Sequence, residues 1–428
     1  MRLFLKFGKK NFEDEWDGAW EEAEVARKDL VEKRAQAKAA ADLAASKKKN
    51  AGGGGGRGGR GSRAKSRTKA GAKSGAKGGG GGGKAVIAAA PPAAKPVVMR
   101  DVCNNTSPET EGPRDWHVFN PSELDETEYP CFWTNLTHWQ LTYYHELPPI
   151  RMCTHDPEVD TVISSHLHKW GFWGAPDEFM ILLNINPCTE ERPYMLDIGM
   201  NIGLFTLIGA EKGCHVLGFE PLSENIQRAM HSLLANGYED HVMLFKHAVG
   251  KYFTTVTIGF RPSNPGSSGI NLGGSKSERI EQITIDGLLL GHSPPSFAGK
   301  SKSGKDLPKI EGSRVNFAKI DTEGYDVAVV AGMMQTLIAG RIPHMLIEFG
   351  PMDAQGTAGC DPDAFVRMMY ENGYSMYEFG KRVELKTLTD VMLPEALSGQ
   401  GRRVFEAWWI LDTHAARVMK DGKLKNDS

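Results

Sequence analysis

Residues 196–207 read LDIGMNIGLFTL, and this stretch decides the fold of the chain. An apolar run reaches the acid Asp197, a turn with two glycines follows, and the chain then continues as an apolar helical pattern. A second apolar run, HVLGFEP from residue 215, ends at Glu220. The order strand, tight turn, helix, strand and carboxylate is typical of the first half of a nucleotide-type cofactor site.

The turn itself predicts a ligand with a polar end. Gly199 and Gly203 carry no Cβ, so the backbone can turn sharply there and approach a ligand closely. A helix that begins near Ile202 would present unpaired N–H groups and its positive dipole end to that ligand. Two ligands fit such a site: the pyrophosphate of a dinucleotide, or the amino-acid end of S-adenosylmethionine.

The spacing of the turn favours the methyl donor. A dinucleotide fingerprint G-x-G-x-x-G counted from Gly199 requires glycine at positions that hold Asn201 and Leu204. Asp197 suits an ammonium group better than a pyrophosphate, and Glu220 would chelate the two ribose hydroxyls. A dinucleotide-dependent oxidoreductase and a cofactor-free α/β domain stay open as alternatives.

Beyond this turn, the chain resembles the FkbM family of S-adenosylmethionine-dependent methyltransferases over roughly residues 155–380. Several sequence blocks carry this resemblance, and KIDTEG, within the block at 317–333, is the most diagnostic because few other methyltransferases share it. The blocks that carry the resemblance are LDIGMNIGLFT, GFEP, HAVG at 247–250, TIDGLL at 284–289, FAKIDTEGYDVAVVAGM at 317–333 and PHMLIEFGP at 343–351.

The resemblance implies a fold, a reaction and a cofactor site. The fold is α/β, with a Rossmann-like, doubly wound and mostly parallel sheet of the class I methyltransferase type. The reaction is methyl transfer from S-adenosylmethionine to a hydroxyl of a carbohydrate or other small-molecule acceptor. His247 lies where adenine contacts commonly occur, although a surface histidine fits the sequence equally well. The expected cofactor-binding residues are Asp197, Gly199, Asn201, Gly203, Glu220, Pro221, His247 and Ala248.

Charged residues in the later blocks are candidates for the chemistry. Lys319, Asp321 and Glu323 alternate with other residues, so in an extended segment they project from one face. At the carboxyl end of a strand beside the first one, they would reach the crevice where α/β sheets bind ligands. Glu348, near the end of another apolar run, would face the same crevice, or it is a solvated strand end.

These four residues form the predicted catalytic set. Asp321 and Glu323 are the candidates for the base that accepts the hydroxyl proton, and Lys319 would orient one of them or the substrate. The same charges can instead form a structural network at a strand end. No C-x-x-C pair or H-E-x-x-H motif supports a metal site, although a divalent ion between Asp321 and Glu323 is conceivable.

The charge of the chain is unevenly distributed. Residues 47–84 contain twelve Lys or Arg and no acid, so the remaining 39 basic and 53 acidic residues leave a formal charge of −14. This Gly-rich, basic segment cannot bury enough apolar area to fold and is predicted to be disordered. It is either a linker or an arm for RNA or another acidic polymer. A non-catalytic RNA-binding protein is therefore a further alternative.

Composition divides the chain into four parts. A glycine-rich segment at 261–274 follows a predicted strand pair and is either a substrate lid or a plain connection. The predicted parts are a partly helical charged segment at 1–46, a disordered tether at 47–114, an N-terminal cap of the catalytic body at 115–190 and the methyltransferase domain at 191–428.

The compartment is unknown from the sequence, with the cytoplasm as the default expectation. The six cysteines are widely spaced and are not expected to form a disulfide framework. Asn105 and Asn135 begin glycosylation sequons, which matter only in a secreted chain. No apolar run reaches the ~18 residues that a membrane span requires, and the N-terminus lacks a convincing signal peptide.

Overall fold

The computed structural model describes residues 102–103, 116–119, 121–125, 129, 131–133, 149–170, 183, 186–260, 265, 268–270, 276–291, 310–378, 381–399, 404–420 and 423–424. The strands are β1 (Val118–Phe119), β2 (Cys131–Trp133), β3 (Arg151–Cys153), β4 (Tyr194–Ile198), β5 (His215–Phe219), β6 (Val242–Phe245), β7 (Ala248–Val249), β8 (Thr254–Phe260), β9 (Gly269–Ile270), β10 (Lys276–Ile283), β11 (Val315–Ile320), β12 (His344–Phe349), β13 (Tyr374–Glu378), β14 (Lys381–Arg382), β15 (Phe405–Leu411), β16 (Met419–Lys420) and β17 (Lys423–Leu424).

Most helices are short and lie between the strands. A 3₁₀ turn covers Pro121–Glu123 and a π-helical turn covers Leu388–Met392. The α-helices are α1 (Ile163–Trp170), α2 (Leu204–Glu211), α3 (Ser223–Asn236), α4 (Ile285–Leu290), α5 (Asp326–Ala331), α6 (Met334–Ile338), α7 (Pro351–Gly356), α8 (Pro362–Glu371), α9 (Leu385–Thr387), α10 (Leu393–Leu397) and α11 (Asp412–Val418).

The central sheet has nine strands in the order β1-β6-β5-β4-β11-β12-β15-β13-β14. Strands β6, β5, β4, β11 and β12 are parallel to their neighbours in that run. Strand β15 is antiparallel to both β12 and β13, and β1 closes the other edge antiparallel to β6. The predicted doubly wound, mostly parallel sheet is confirmed.

The strand order reverses between β4 and β11, which are adjacent although more than a hundred residues separate them. The chain goes from β4 towards β5 and β6, and later returns to β11 on the other side of β4. In open α/β sheets, ligands bind at the carboxyl ends of the strands at such a switch point. Asp197 on β4 pairs in register with Lys319 on β11, so two charged residues of the sequence motifs meet there.

Both faces of the sheet are covered, which explains why its central strands are almost wholly apolar. Met195 and Val216, on neighbouring strands, pack with α2 and α3 on one face. The alternate residues Leu196 and Leu217 pack with α5 and α6 on the other face. This period of two is the pattern expected of buried strands.

A second, smaller sheet is inserted between β6 and β11 in sequence. Its order is β7-β10-β8-β9, with β10 and β8 as a long antiparallel pair. The segment 261–274, predicted to be either a substrate lid or a plain connection, contributes Ser268 and both residues of β9, Gly269 and Ile270. These three residues line the cavity at the switch point, whereas 261–264, 266–267 and 271–274 lie outside the described residues.

All six cysteines form disulfides, so the expectation that they would not pair is wrong. The bonds join Cys103 to Cys360, Cys131 to Cys153 and Cys188 to Cys214, at sequence separations of 257, 22 and 26 residues. Separations of this kind carry no spacing signature, because the partners become neighbours only when the fold brings distant segments together. Cys131 and Cys153, for example, sit opposite each other on β2 and β3.

Several other expectations fall outside the part of the chain that the structure describes. These are the partly helical segment 1–46, nearly all of the tether 47–114, the basic arm 47–84 and the sequons at Asn105 and Asn135. The boundaries at 46, 114 and 190 therefore stay predictions. Across the described residues, no helix combines the length and the apolar character that crossing a membrane requires.

The disulfide between Cys103 and Cys360 generates a prediction about stability. Replacing both cysteines by alanine should lower the free energy of unfolding by about 4–5 kcal/mol, because the bond closes a very long loop in the unfolded chain. Removing the Cys188–Cys214 bond in the same way should cost about 3 kcal/mol, since its loop is much shorter. Denaturant unfolding of both variants measures the difference. Equal midpoints for the Cys103/Cys360 variant and the parent protein would contradict the prediction.

Candidate functional site

The turn after β4 has the conformation that its glycines predict. Gly199 has φ 76° and Gly203 has φ 89°, both in the left-handed region that favours glycine. A Cβ on Gly199 would lie 1.8 Å from the backbone oxygen of Asp321, so the two strand ends touch through this residue. Asn201, at φ 55°, compensates for its strained backbone by accepting a hydrogen bond from the Ile202 N–H at 2.7 Å.

Asp197 is fully buried at the end of β4 and is only partly satisfied. One carboxylate oxygen accepts a hydrogen bond from the Thr206 hydroxyl at 2.6 Å. The other oxygen, Oδ1, lies 4.0 Å from the Lys319 ammonium and has no hydrogen-bond partner among the described residues. Burial raises the pKa of Asp197 against the opposing effect of Lys319. A buried acceptor without a donor is costly, so this oxygen is suited to a ligand ammonium group.

Glu220, directly after β5, is the second acid that brackets the turn. Its two carboxylate oxygens accept hydrogen bonds from the backbone N–H groups of Asn201 at 2.9 Å and Leu222 at 3.0 Å. Burial raises its pKa to about 7, although these hydrogen bonds favour the charged form. The side chain therefore changes charge near neutral pH.

His247 is buried beside the same cavity, and the alternative of a surface histidine is wrong. Its Nε2 accepts a hydrogen bond from the His117 N–H at 2.8 Å, and its Nδ1 faces the Glu281 carbonyl at 3.3 Å. Burial lowers the pKa of His247 to about 4, so the ring is neutral. Both ring nitrogens are committed to the backbone, which leaves the ring itself as a wall of the cavity. Pro221 and Ala248 line the cavity as well.

Lys319 is the centre of the charged cluster at the switch point. Its buried ammonium donates a hydrogen bond to Asp321 Oδ2 at 3.0 Å and lies 3.4 Å from the Gly199 carbonyl. It also sits over the ring of Phe205, 4.9 Å from the centroid. Burial alone would lower the pKa of Lys319, but the negative charges of Asp321 and Asp197 raise it by more than burial lowers it, so the ammonium stays charged.

Asp321 and Glu348 share a hydrogen bond across the ends of β11 and β12. Burial favours the neutral form of Asp321, yet the Lys319 ammonium and the hydrogen bond from Glu348 hold its pKa below the usual range. The Asp321 carboxylate and burial raise the pKa of Glu348 strongly, so Glu348 is the protonated partner and donates the bond. The pair therefore carries one negative charge in place of two, as expected for close buried carboxyls.

Glu323 reaches the same cavity by a different backbone path from the one expected. Strand β11 ends at Ile320, and Glu323 lies in a turn with φ 55°, so the alternation of an extended segment stops before it. The buried carboxylate of Asp326 fixes this turn by accepting hydrogen bonds from the Thr322 and Gly324 N–H groups at 2.8 and 3.2 Å. Glu323 is consequently exposed at the rim of the cavity.

One cavity brings the candidate residues together. All four predicted catalytic residues line it, and so do six of the eight predicted cofactor-binding residues; the other two are the fully buried Asp197 and the turn residue Gly203. Those residues are Gly199, Asn201, Glu220, Pro221, His247, Ala248, Lys319, Asp321, Glu323 and Glu348.

Sequence reasoning did not assign several residues that complete the site. Thr206 bonds Asp197, Phe205 lies under the Lys319 ammonium, and Asp326 fixes the turn that carries Glu323. Val162 and Ile163 bring the N-terminal segment to the cavity wall. A threonine or phenylalanine on an apolar helix gives no signal of such a role, because its partner comes from another strand.

Among the described residues, no group of three His, Cys, Asp or Glu side chains is arranged to hold a metal ion. The cluster at the switch point instead contains an ammonium between carboxylates. A divalent ion between Asp321 and Glu323 would therefore have to compete with the positive charge of the Lys319 ammonium.

The sheet order and the acid-bracketed turn define a class I S-adenosylmethionine-dependent methyltransferase. Strand β15 lies antiparallel between β12 and β13, and this differs from the 3-2-1-4-5-6 strand order of dinucleotide-binding sheets. Residues 197–376 match the family model described as the Methyltransferase FkbM domain. The family resemblance and the predicted enzyme class are confirmed.

Solved structures of methyltransferases resemble this chain at low identity. The METTL16 methyltransferase domain is 11% identical, covering 62% of this chain and 85% of that chain with a TM-score of 0.31. Geranyl diphosphate methyltransferase in complex with SAM is 12% identical, with 58% and 86% covered and a TM-score of 0.30. Precorrin-6y C5,15-methyltransferase from Geobacter metallireducens GS-15 is 12% identical, with 46% and 70% covered and a TM-score of 0.23. A search of curated proteins gives no match.

The pKa of Glu220 generates a prediction about cofactor affinity. A protonated carboxyl has fewer acceptor sites for ribose hydroxyls, so binding should weaken as the pH falls through about 7. For one group of this kind, the Kd of S-adenosylhomocysteine should be up to about tenfold higher at about pH 6 than at about pH 8. Calorimetric titration measures this, and Glu220→Gln should flatten the dependence. A flat profile in the parent protein would contradict the assignment.

Proposed function

We propose that this methyltransferase transfers a methyl group from S-adenosylmethionine to a hydroxyl of a neutral acceptor, either a carbohydrate or another small molecule. The observation that supports this proposal is the acidic end of the cavity, which Asp321, Glu323 and Glu348 line. The neighbouring Lys319 ammonium is already bonded to Asp321. Acceptor hydroxyls can donate hydrogen bonds to these carboxyl groups, whereas a phosphate or carboxylate on the acceptor would be repelled.

The residues around the turn fit the proposed cofactor. The unpartnered Oδ1 of Asp197 is buried close to the turn and can accept a hydrogen bond from the amino group of S-adenosylmethionine. Glu220 can accept from the ribose hydroxyls while it keeps its two backbone bonds, because each carboxylate oxygen has more than one acceptor position. Gly199, Asn201 and Gly203 would form the turn around the amino-acid end.

The remaining cofactor residues would form the wall around the adenine. Pro221 follows the end of β5, His247 and Ala248 follow the end of β6, and all three line the cavity. Since both nitrogens of His247 bond the backbone, we assign its neutral ring to packing and not to a hydrogen bond with the base.

The proposed chemistry depends mainly on positioning. The bound cofactor supplies an electrophilic methyl group on a sulfonium, and methyl transfer to oxygen releases the hydroxyl proton. Asp321 accepts the hydrogen bond of the acceptor hydroxyl and then its proton, while Lys319 and the protonated Glu348 hold the carboxylate in place. Because its pKa is lowered, Asp321 is a weak base whose main task is orientation. Glu323, at the rim, would bind a second hydroxyl of the acceptor.

We also infer that the protein works in an oxidising compartment. Its six cysteines form three disulfides, and such bonds are rare in the reducing cytoplasm. An oxidising compartment therefore replaces the cytoplasm that the sequence analysis takes as the default. Asn105 and Asn135 would then be open to glycosylation. For segment 47–84, the partner assignment rests on charge alone: its twelve basic residues fit an acidic polymer through salt-sensitive contacts.

Three acceptors of similar size test the acceptor class. Methyl glucoside, glucosamine and glucose 6-phosphate share a sugar ring and differ in charge, and release of S-adenosylhomocysteine reports turnover with each. We expect turnover with the neutral glycoside to exceed that with the phosphorylated sugar by at least about tenfold, because the phosphate meets the carboxylates. Mass spectrometry should place the added methyl on oxygen. Preference for the phosphorylated sugar, or methylation of the amine alone, would contradict the proposal.

Replacement of Asp321 by asparagine tests the proposed base. Turnover should fall about 100-fold, because the neutral amide orients the acceptor hydroxyl less well than the carboxylate and cannot accept its proton, while cofactor affinity stays nearly unchanged. In this variant Glu348 loses the charge that raises its pKa and can ionise, so Asp321→Asn/Glu348→Gln should be slower still. Steady-state kinetics and calorimetry measure both effects. If Asp321→Asn abolishes cofactor binding, the role assigned to Asp321 is wrong.

A further inference from the structure

The carboxylate that is proposed to bind ribose has a third polar neighbour besides its two backbone donors. The side chain of Asn225, in the first turn of α3, faces Glu220 and favours its charged form, as an amide N–H turned towards a carboxylate does. Asn225 is buried and lines the cavity. An amide that donates from its nitrogen to a carboxylate must present its oxygen elsewhere, so a donor is needed on the other side of Asn225.

His155 supplies that donor from outside the cavity. Its Nε2 lies 2.8 Å from Asn225 Oδ1, and both side chains are buried. Because Asn225 Oδ1 is an acceptor, the proton of His155 lies on Nε2. Burial lowers the pKa of His155, with Arg228 acting in the same direction, so the imidazole is neutral at pH 7. The result is a directed hydrogen-bond chain in which His155 donates to the Asn225 oxygen and the Asn225 amide faces the Glu220 carboxylate.

The position of His155 is set by the N-terminal segment. The residue follows β3, which lies along α3 and is joined to β2 by the Cys131–Cys153 disulfide. The Cys153 N–H donates to the Ser232 hydroxyl at 2.8 Å, and Arg228 donates to the Thr154 carbonyl at 3.1 Å. These contacts fix the backbone at the end of β3, directly before His155, so the imidazole has little freedom to leave Asn225.

We propose that His155 is a positioning residue of the cofactor site, which acts through Asn225 to hold Glu220 in the orientation that chelates the ribose. The predicted cap thereby contributes to cofactor affinity without contacting the cofactor. This proposal rests on the proposed role of Glu220. A neutral His155 is suited to this task, because a charged imidazole would also be attracted to the acidic groups around it and would hold the Asn225 amide less reliably.

Other charged groups also face the hydrogen-bond chain from His155 to Glu220, and they stay unchanged in the test. Asp197 faces Glu220 from β4 and favours its neutral form. Arg228 and Glu224 from α3, together with Asp160 before α1, face His155. Since none of these groups is altered in the variants below, a change in the pH profile reports the hydrogen-bond chain.

The test compares His155→Ala with His155→Gln by calorimetric titration of S-adenosylhomocysteine across neutral pH. In His155→Ala we expect about tenfold weaker binding, as for the loss of a hydrogen bond to a charged group, and a pH midpoint shifted to higher pH. The glutamine amide can donate to Asn225 from nearly the same place, so His155→Gln should restore most of the affinity and the midpoint. His166→Ala, on the exposed face of α1, is the matched control and should bind like the parent protein.

A double-mutant cycle keeps the proposal testable if His155→Ala is unstable. Asn225→Ala should produce the same shift of the pH midpoint in a protein that keeps His155, and adding His155→Ala to it should shift the midpoint no further, because both changes break the same hydrogen-bond chain. If the variants lower only the melting temperature while the pH midpoint stays at the parent value, His155 is structural and the proposal is overturned. If Glu220→Gln itself leaves binding unchanged, the proposed cofactor site fails first, which is a distinguishable result.

Discussion

The contact between Gly199 and the backbone of Asp321 is the constraint on which the site depends. A doubly wound sheet has a gap where its strand order reverses, and here the gap is closed by main chain touching main chain. Because no side chain fits between them, the glycine turn and the loop that carries Asp321 are held at one fixed separation. The groups proposed to bind the cofactor and the acceptor would therefore be positioned by the same backbone contact.

Charge at this point is balanced by a single buried ammonium. Lys319 lies between Asp197 and Asp321, and the proton on Glu348 removes a further negative charge. Burying such a cluster is unfavourable unless the partners satisfy one another, and the remaining unsatisfied atom is Asp197 Oδ1 in this cluster. The structural network and the proposed functional site, which the sequence left as alternatives, thus consist of the same residues.

The sequence predicted the fold and most of the cavity because both depend on local signals. The apolar runs, the glycine turn and the acids at strand ends have fixed spacing, and they met at the switch point as expected. The backbone path to Glu323 differs from the expected extended one because the strand stops at Ile320, which no alternation pattern reveals. His155 and the cysteine pairs escaped notice for a different reason: their partners are remote in sequence, and pairing of remote residues is a property of the folded chain.

The Cys103–Cys360 bond closes a covalent ring that contains the glycine turn, the charged cluster and the whole inserted sheet. A protease that cuts once inside this ring cannot separate the two pieces, which stay linked through sulfur until a reductant acts. Nicked protein would therefore run as an intact chain on a non-reducing gel and as fragments on a reducing one. Damage to exposed loops would consequently be tolerated for as long as the surroundings keep that bond oxidised.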